Sequence, residues 1–494
     1  PALAALLLKP KDGRRDPLTW LLDVSFGWFF KLFNAIFGFG TRTYTSVVGI
    51  SLRGSFAVLM IYVGLLYLTY VSFAKAPTGF VPEQDKGYLL VNLQLPEGAA
   101  LTRTENVVNQ VQRIASELPG VAHTIGIAGQ SVLLGANAPS YGSMYVMLDG
   151  FDRRKSPQRS ADALAGKLRR ECALAIRDAS VSVFNAPPID GLGSTGGFTL
   201  MIEDREGAGS LALETAADKI VVQANQIAGL TGVFCAMSSN APWVYLDINR
   251  VKCESMGIST SDVFNALEVN FGSYYVNNFN EFGRSWQVNV MGADGFRDRV
   301  DDIKRLQVRS RTGEMVSLAT ILDVREVSGP VVIRRYNMHA AAAINGRTAP
   351  GTSSGQAITL MENVAQKSLP KAMSSQWTGL TFMQLRAGNT AIYAFGFAVL
   401  VVFLVLAALY ESWLLPLAVI LVVPMCLLSS VVGVNLDSLD VNIFTQIGFI
   451  VLVGLASKNA ILIIEFARQK QSTGASRRDA RLEACRLRLR PILM

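Results

Sequence analysis

Four runs of the chain stay apolar over a length that crosses a bilayer as a helix: Phe56 to Ala74, Thr390 to Tyr410, Trp413 to Val434 and Asn442 to Phe466. A helix rises ~1.5 Å per residue, so ~20 residues match the ~30 Å hydrocarbon core. Trp20 to Phe39 has a different pattern. Its polar or small positions, Asp23, Gly27, Lys31, Asn34 and Gly38, recur at helical spacing among aromatics. That predicts an amphipathic helix lying in the membrane interface, with a true span as the alternative.

Between the first and second runs the chain reads as ordinary soluble protein. The strand-like GYLLVNLQL (87 to 95) and VAHTIGIA (121 to 128) flank the helix-like TRTENVVNQVQRIASEL. MYVMLDGF and VSVFNA flank SADALAGKLRRECALAI, and FTLMIED and VFCAMSS flank ALETAADKIVVQANQIA. Repeated strand-helix-strand units of this length predict split βαβ modules with helices on one face of each sheet. In SYYVNNFNEFGRSWQVNV two alternating strands joined through Asn, Glu and Gly predict a long hairpin, either a docking element or an ordinary sheet edge.

Half of the 494 residues are hydrophobic and 17% are charged, which fits spans combined with an aqueous domain. The net charge of +8 collects beside the apolar runs, in KPKDGRR and in RQKQSTGASRRDARLEACRLRLRP, whereas NLDSLDV between the third and fourth runs has no Lys or Arg. Basic flanks stay in the cytoplasm, so both termini are expected there and residues 79 to 388 outside. The same clustering accounts for the charge without nucleic acid. The five cysteines lack paired metal spacing; Cys235 and Cys253 are open to a bridge or to burial as free thiols. His123 and His339 stand alone, and no GxxxxGK[ST], HExxH or CxxC occurs, so no nucleotide hydrolysis, metal centre or catalytic residue is expected. PALAALLL at the start reads as the last turns of a span, and RLRLRPILM turns apolar at the end. The expectation is a piece of a larger membrane protein.

Lys458 interrupts the fourth run. An ammonium at mid-membrane costs at least ~2.5–3.5 kcal/mol, so it is retained where carboxylates or water meet it inside a helix bundle, commonly in a proton or ion relay. The alternative is snorkelling toward Glu465 and Arg468, past Ile461, Leu462 and Ile464.

The motifs GLASKNAILIIEFARQ, LAALYESWLLPLAVILVVP, RLRLRPILM, PTGFVPEQDKGYLLVNLQLPEGAALTRTE and FNAPPIDGLGSTGGF together closely resemble the resistance-nodulation-division superfamily, in its hydrophobe/amphiphile multidrug efflux branch of Gram-negative bacteria. The resemblance covers essentially the whole chain. It implies an α-helical transmembrane bundle plus an α+β periplasmic domain, with βαβ ferredoxin-like porter subdomains and an inserted docking subdomain. The implied layout is a stub of span six (1–8), a cytoplasmic linker (9–53) holding the interfacial helix 20–39, and span seven (54–75). The periplasmic loop (79–388) then contains one porter subdomain (79–190), a second (191–239 with 331–385) and the docking insert (240–330). Spans eight, nine and ten (390–410, 413–434, 442–466), a basic linker (467–490) and the start of span eleven (491–494) complete it.

The resemblance also implies a proton-driven antiporter with no cofactor, set in the bacterial inner membrane. Its partners would be two further copies in a homotrimer, a periplasmic adaptor, an outer-membrane channel, the lipid bilayer and small amphiphilic substrates. Lys458 would face two aspartates outside this chain, with Arg488 nearby. Gly129 to Pro139, with Gly129 and Gly135, takes the place of a glycine-rich switch loop. Ile125, Gln130 and Val132 fall where several such pumps have phenylalanines, and Tyr145 and Phe184 match pocket aromatics, with strand-face core packing as their alternative. A heavy-metal exporter, expected to cluster methionines, and a membrane sensor with an extracytoplasmic ligand domain are the competing readings.

Overall fold

The computed structural model describes residues 17–193, 195–388, 390–437 and 439–493. The chain divides into two compact units, one of Pro1–Pro82, Ser353–Gln356 and Gln384–Met494, the other of Glu83–Thr352 and Ala357–Met383.

In the first unit, four helices are long and apolar enough to cross a membrane: Ser55–Lys75, Ile392–Tyr410, Leu414–Leu436 and Ile443–Ser472. Ser55–Lys75 ends where Ala76 turns extended ahead of Pro77, because a proline ring disfavours helical backbone in the residue before it. The third run is not one unbroken helix. It divides into Leu414–Ile420 and Val423–Leu436, with Pro424 in the first turn of the second piece. Proline has no N–H to give and is tolerated only at such a start, so the chain re-initiates there.

Two other boundaries differ from the sequence reading. The amphipathic segment 20 to 39 is part of one helix, Pro17–Arg53. Thr41, Thr43 and Thr45 carry it onward by donating their hydroxyls to the carbonyls of Phe37, Phe39 and Thr41, so these β-branched residues stay satisfied inside the helix. The fourth run extends to Ser472, and after a turn through Gly474 a further helix spans Arg477–Leu493 with Pro491 inside it. Residues 467 to 490, expected as a linker, are therefore mostly helical. At its other end Ile443–Ser472 is capped by Asn442, whose side-chain oxygen accepts from the N–H groups of Phe444 and Thr445 at 3.0 and 3.1 Å. The expected stub at residues 1 to 8 lies outside the described residues.

The second unit is built of layered α+β modules. Its first sheet has the order β2-β3-β1-β4, all neighbours antiparallel: β1 is Tyr88–Gln94, β2 Val121–Ser131, β3 Ala136–Leu148 and β4 Ser180–Asn185. Leu89, Val91 and Leu93 alternate onto one face and pack under the helices Leu101–Ser116 and Ala161–Ala175 through Val107, Val111, Leu164 and Leu168. Each such side chain, fully buried, contributes ~1.5–3 kcal/mol.

The second sheet contains β5 (Phe198–Asp204), β6 (Leu230–Cys235), β13 (Arg335–Tyr336), β14 (His339–Thr348) and β15 (Met373–Thr378) in the order β13-β14-β5-β15, with β6 also on β14. Leu200, Ile202 and Ile344 pack under Ser210–Ala224 and Ser354–Ser368. Between β6 and β13 the chain makes a separate layer, in which β7 (Ala241–Ile248) pairs with β12 (Leu322–Gly329) and the short β10 (Gln307–Arg309) with β11 (Met315–Ser317), around a core of Cys253, Val263, Val308, Leu318 and Ile321. From it projects the hairpin of β8 (Tyr274–Glu281) and β9 (Arg284–Val290). Phe282 and Gly283 have φ of 54° and 70°, the pair of positive values that a two-residue turn needs to match strand twist. Every residue of both strands is exposed.

Candidate functional site

Helix Ile443–Ser472 buries Phe449, Val453 and Ser457 and sets Ala460, Ile461 and Ile464 against Leu406, Tyr410 and Val419. Lys458 follows Ser457, and one residue turns a helix by ~100°, so it leaves the packed face and is exposed. It shares that outer face with Val451, Gly454 and Leu455. Among the described residues its ammonium forms no ion pair or hydrogen bond, including none with Glu465.

Arg488 lies on Arg477–Leu493, which runs back beside this helix; Lys470 Nζ meets Glu483 Oε1 at 2.8 Å and the Arg488 guanidinium sits 4.9 Å from the Phe466 ring centroid. Phe466 is eight positions from Lys458, ~12 Å along the axis. The structure thus does not bring Arg488 to Lys458.

In the second unit, residues opposite one another in antiparallel strands share a face, and Ile125, Tyr145, Leu90 and Phe184 form one row across β2-β3-β1-β4. Their strand neighbours Met144, Val146, Leu89 and Val183 belong to the helix-packed core. The row therefore occupies the face without helices. Phe184 is only 5% exposed because its ring packs on Phe234 of the second sheet, 5.1 Å between centroids and 30° between planes. Tyr145 lies 6.5 Å from Tyr88, and Ile125 is 56% exposed.

Gly129 to Pro139, expected as a loop, is mostly strand. Only Val132 to Gly135 turn, between the end of β2 and the start of β3. Gly129 takes a φ of 83° where the pairing of β2 with β3 shifts register, a bulge that a side chain would strain, and Gly135 takes 63°. Buried polar side chains fix the base of the turn. Ser131 Oγ donates to Asn92 Oδ1 at 2.8 Å and accepts from Leu134 N, while Ser143 Oγ accepts from Val132 N and donates to the Gln130 carbonyl. At the tip, Arg334 Nη2 donates to the carbonyls of Leu134 and Leu133 at 3.0 and 3.4 Å.

Beside this turn is a cavity of about 520 Å³ that runs under the helix-free face of the second sheet, where Met201, Ala341 and Asn345 meet Tyr141. Val132 and Gly135 line it, but Ile125, Gly129, Gln130, Tyr145 and Phe184 do not. The sequence reading missed Arg334; its one signal was a pair of arginines in VVIRRYN, directly ahead of an alanine-rich strand. Among the described residues no group of three or more His, Cys, Asp or Glu could hold a metal. The five cysteines are free, and burial pushes the Cys235 thiol up to about 11, so it stays protonated and unreactive.

A family model described as the AcrB/AcrD/AcrF family matches residues 1–494. The chain is 34% identical to the toluene efflux pump membrane transporter TtgB of Pseudomonas putida, with 100% of the chain and 46% of that protein aligned. It is 35% identical to the multidrug export protein AcrF and 32% identical to the multidrug resistance protein MdtF, both of Escherichia coli; each alignment covers 100% of the chain and 47% of the relative. The chain thus spans about half the length of the relatives it matches. Long apolar helices, layered α+β modules and a motif-borne lysine on an apolar helix occur together in a chain matched from end to end, and the chain belongs to the AcrB/AcrD/AcrF family.

Proposed function

We propose that this chain supplies half of an inner-membrane proton/drug antiporter that exports hydrophobic or amphiphilic compounds. The observation that carries the reading is Lys458, a lone ammonium on the outward face of an apolar helix. That face needs carboxylates from chain beyond these residues, since an unmatched charge in lipid is costly. Protonation of such carboxylates releases the lysine and their deprotonation recaptures it, giving two states for the bundle. Each proton crossing contributes ~2.3 kcal/mol per 100 mV of membrane potential. Arg488, at the level of Phe466, serves as a second basic group toward the end of the path.

In this reading the second unit is periplasmic. Its two sheet modules are porter subdomains, the layer between β6 and β13 is the docking insert, and the hairpin with its exposed Tyr274, Tyr275, Phe279 and Trp286 clasps a neighbouring copy in a homotrimer. The adaptor and the outer-membrane channel complete the export path. Substrates pass along the helix-free sheet faces, by Phe184, Tyr145 and the Val132–Gly135 turn. The test is dye efflux from cells lacking their own pumps and expressing the full-length transporter: Lys458→Ala abolishes efflux with membrane insertion and oligomeric state unchanged. Ordinary efflux by that variant would sink the assignment.

A further inference from the structure

In the first unit a groove of about 780 Å³ lies between the helices Pro17–Arg53 and Arg477–Leu493, with Thr41, Arg42 and Thr45 on one wall and Asp479, Glu483 and Arg486 on the other. Contacts beside it hold the two helices together. The Tyr44 hydroxyl meets the Cys485 thiol, and the Arg490 guanidinium sits 5.7 Å from the Phe37 ring centroid. Most polar groups of the lining are already engaged. The Thr41 and Thr45 hydroxyls bond to carbonyls of their own helix, and Glu483 is matched by Lys470 at 2.8 Å. Asp479 closes the start of its helix: its Oδ2 accepts from Ser476 Oγ at 2.6 Å and its N–H donates back to that hydroxyl. Arg42 and Arg486 are exposed, and among the described residues neither guanidinium has an ion pair or a hydrogen bond. With Lys470 included, three cations meet two carboxylates, which leaves one positive charge in excess. Two guanidiniums on facing helices repel unless an anion comes between them.

We propose that this groove binds a phospholipid with one net negative charge, its phosphate held between Arg42 and Arg486 and its acyl chains over the neighbouring apolar side chains. A guanidinium meets a phosphate through two parallel N–H···O bonds, and one negative charge cancels the excess. The surroundings favour a lipid as the source of that phosphate. Phe39, one turn ahead of Arg42, is 74% exposed and Ile36 is 64% exposed, and such a surface takes acyl chains. The chain enters the apolar helix Ser55–Lys75 soon after the groove. Helix Arg477–Leu493 carries six arginines and two carboxylates, so it draws anionic lipid to this end of the spans. The bound lipid ties Pro17–Arg53 to Arg477–Leu493, which the Lys470–Glu483 pair in turn fastens to the helix of Lys458. The site lies apart from the sheet faces and goes beyond the antiport reading.

The test is native mass spectrometry of the full-length transporter in detergent, titrated with dioleoylphosphatidylglycerol to give the affinity for the first lipid per copy. Dioleoylphosphatidylcholine, with the same tails and phosphate but no net charge, should bind about tenfold more weakly. A hydrogen-bonded charge is worth enough that Arg42→Ala and Arg486→Ala should each weaken phosphatidylglycerol about tenfold, with phosphatidylcholine held within about twofold. Arg481→Ala removes an exposed arginine of the same helix outside the groove and should change neither affinity. The mass of the intact assembly in the same spectra shows each variant folded. Equal affinity of the wild type for the two lipids overturns the proposal, as does a loss in Arg481→Ala equal to that in Arg42→Ala. Displacement of the lipid by millimolar inorganic phosphate also overturns it, because the occupant would then be a free anion. Binding is read without transport, so a failed efflux test leaves this proposal standing, and loss of lipid preference leaves the antiport reading standing.

Discussion

Asp85→Ala should cost the first sheet module about 3 kcal/mol. Asp85 Oδ2 accepts from Arg154 Nη1 at 2.7 Å and from Ala161 N at 2.9 Å, and Oδ1 accepts from Arg154 Nη2 and Gly87 N, both at 3.0 Å. One carboxylate thus ties the start of β1 to the first residue of helix Ala161–Ala175 and to an arginine whose side chain is 1% exposed. Removing one partner of a buried pair costs ~3–5 kcal/mol because the other charge is stranded. The lower figure applies, since Arg154 keeps the Asp149 and Arg159 carbonyls at 2.7 and 3.1 Å. About 3 kcal/mol is roughly a hundredfold in the opening equilibrium, readable as faster native-state amide exchange at Leu89, Val91 and Leu93. Asp85→Ala with Arg154→Met should recover most of it.

The pH dependence has a fixed sign. Burial pushes the Asp85 carboxyl up, but the Arg154 bonds and the Ala161 and Gly87 N–H groups outweigh it and hold it below the usual carboxylate range. A depressed folded-state value gives stabilisation that is complete above the unfolded value, ~4, and is lost as pH falls through the folded one. The gap between wild type and variant should therefore be level from pH 7 to 5 and close below ~4. A gap under about fivefold at pH 7, or one that widens in acid, would refute the reasoning.

Three other outcomes follow from local structure. Asn442→Ala removes the cap of Ile443–Ser472 and should lower its stability by ~1 kcal/mol, seen as faster exchange at the Phe444 and Thr445 amides, whereas Asn442→Ser, which caps without adding a second carboxylate beside Asp440, should keep most of the protection. Gly283→Val places a β-branched residue at a φ of 70°, where its Cβ meets nothing but the backbone itself is strained by ~1–2 kcal/mol; hairpin cross-peaks should weaken, and the proposed homotrimer of the full-length transporter should dissociate at lower detergent concentration. Burial pushes the Cys172 and Cys235 thiols up to about 11, so alkylation of the folded chain at pH 8 should be slow and should accelerate toward pH 11 or on unfolding.

The elements with strong periodicity were legible in the sequence. Leu89, Val91 and Leu93 alternate because one face of β1 meets helices, and the apolar runs end near the helix ends because length and composition set them. The break at Leu421 and Val422 was legible in principle from Pro424, but an unbroken apolar run concealed it. The extension to Arg53 was not, because threonines favour strands unless their hydroxyls find helical carbonyls, as Thr41, Thr43 and Thr45 do. In the sequence a rule of cost singled out Lys458 and the family resemblance singled out Tyr145 and Phe184; the structure sets Lys458 on the outer face of its helix and the two aromatics on the helix-free face of the first sheet. Arg334 lies 200 positions from the Leu134 carbonyl it holds, and no local pattern encodes a contact of that separation. The placement of Arg488 beside Phe466 depends likewise on how Arg477–Leu493 folds back, which its basic composition does not specify.

The most direct test of proton/drug antiport is made with the full-length transporter in proteoliposomes that enclose a pH-sensitive dye. An imposed substrate gradient should move protons in the opposite direction at a rate that saturates with substrate, and Lys458→Ala should abolish this movement with substrate binding retained. Proton movement indifferent to substrate, or equal in wild type and Lys458→Ala, would contradict the account.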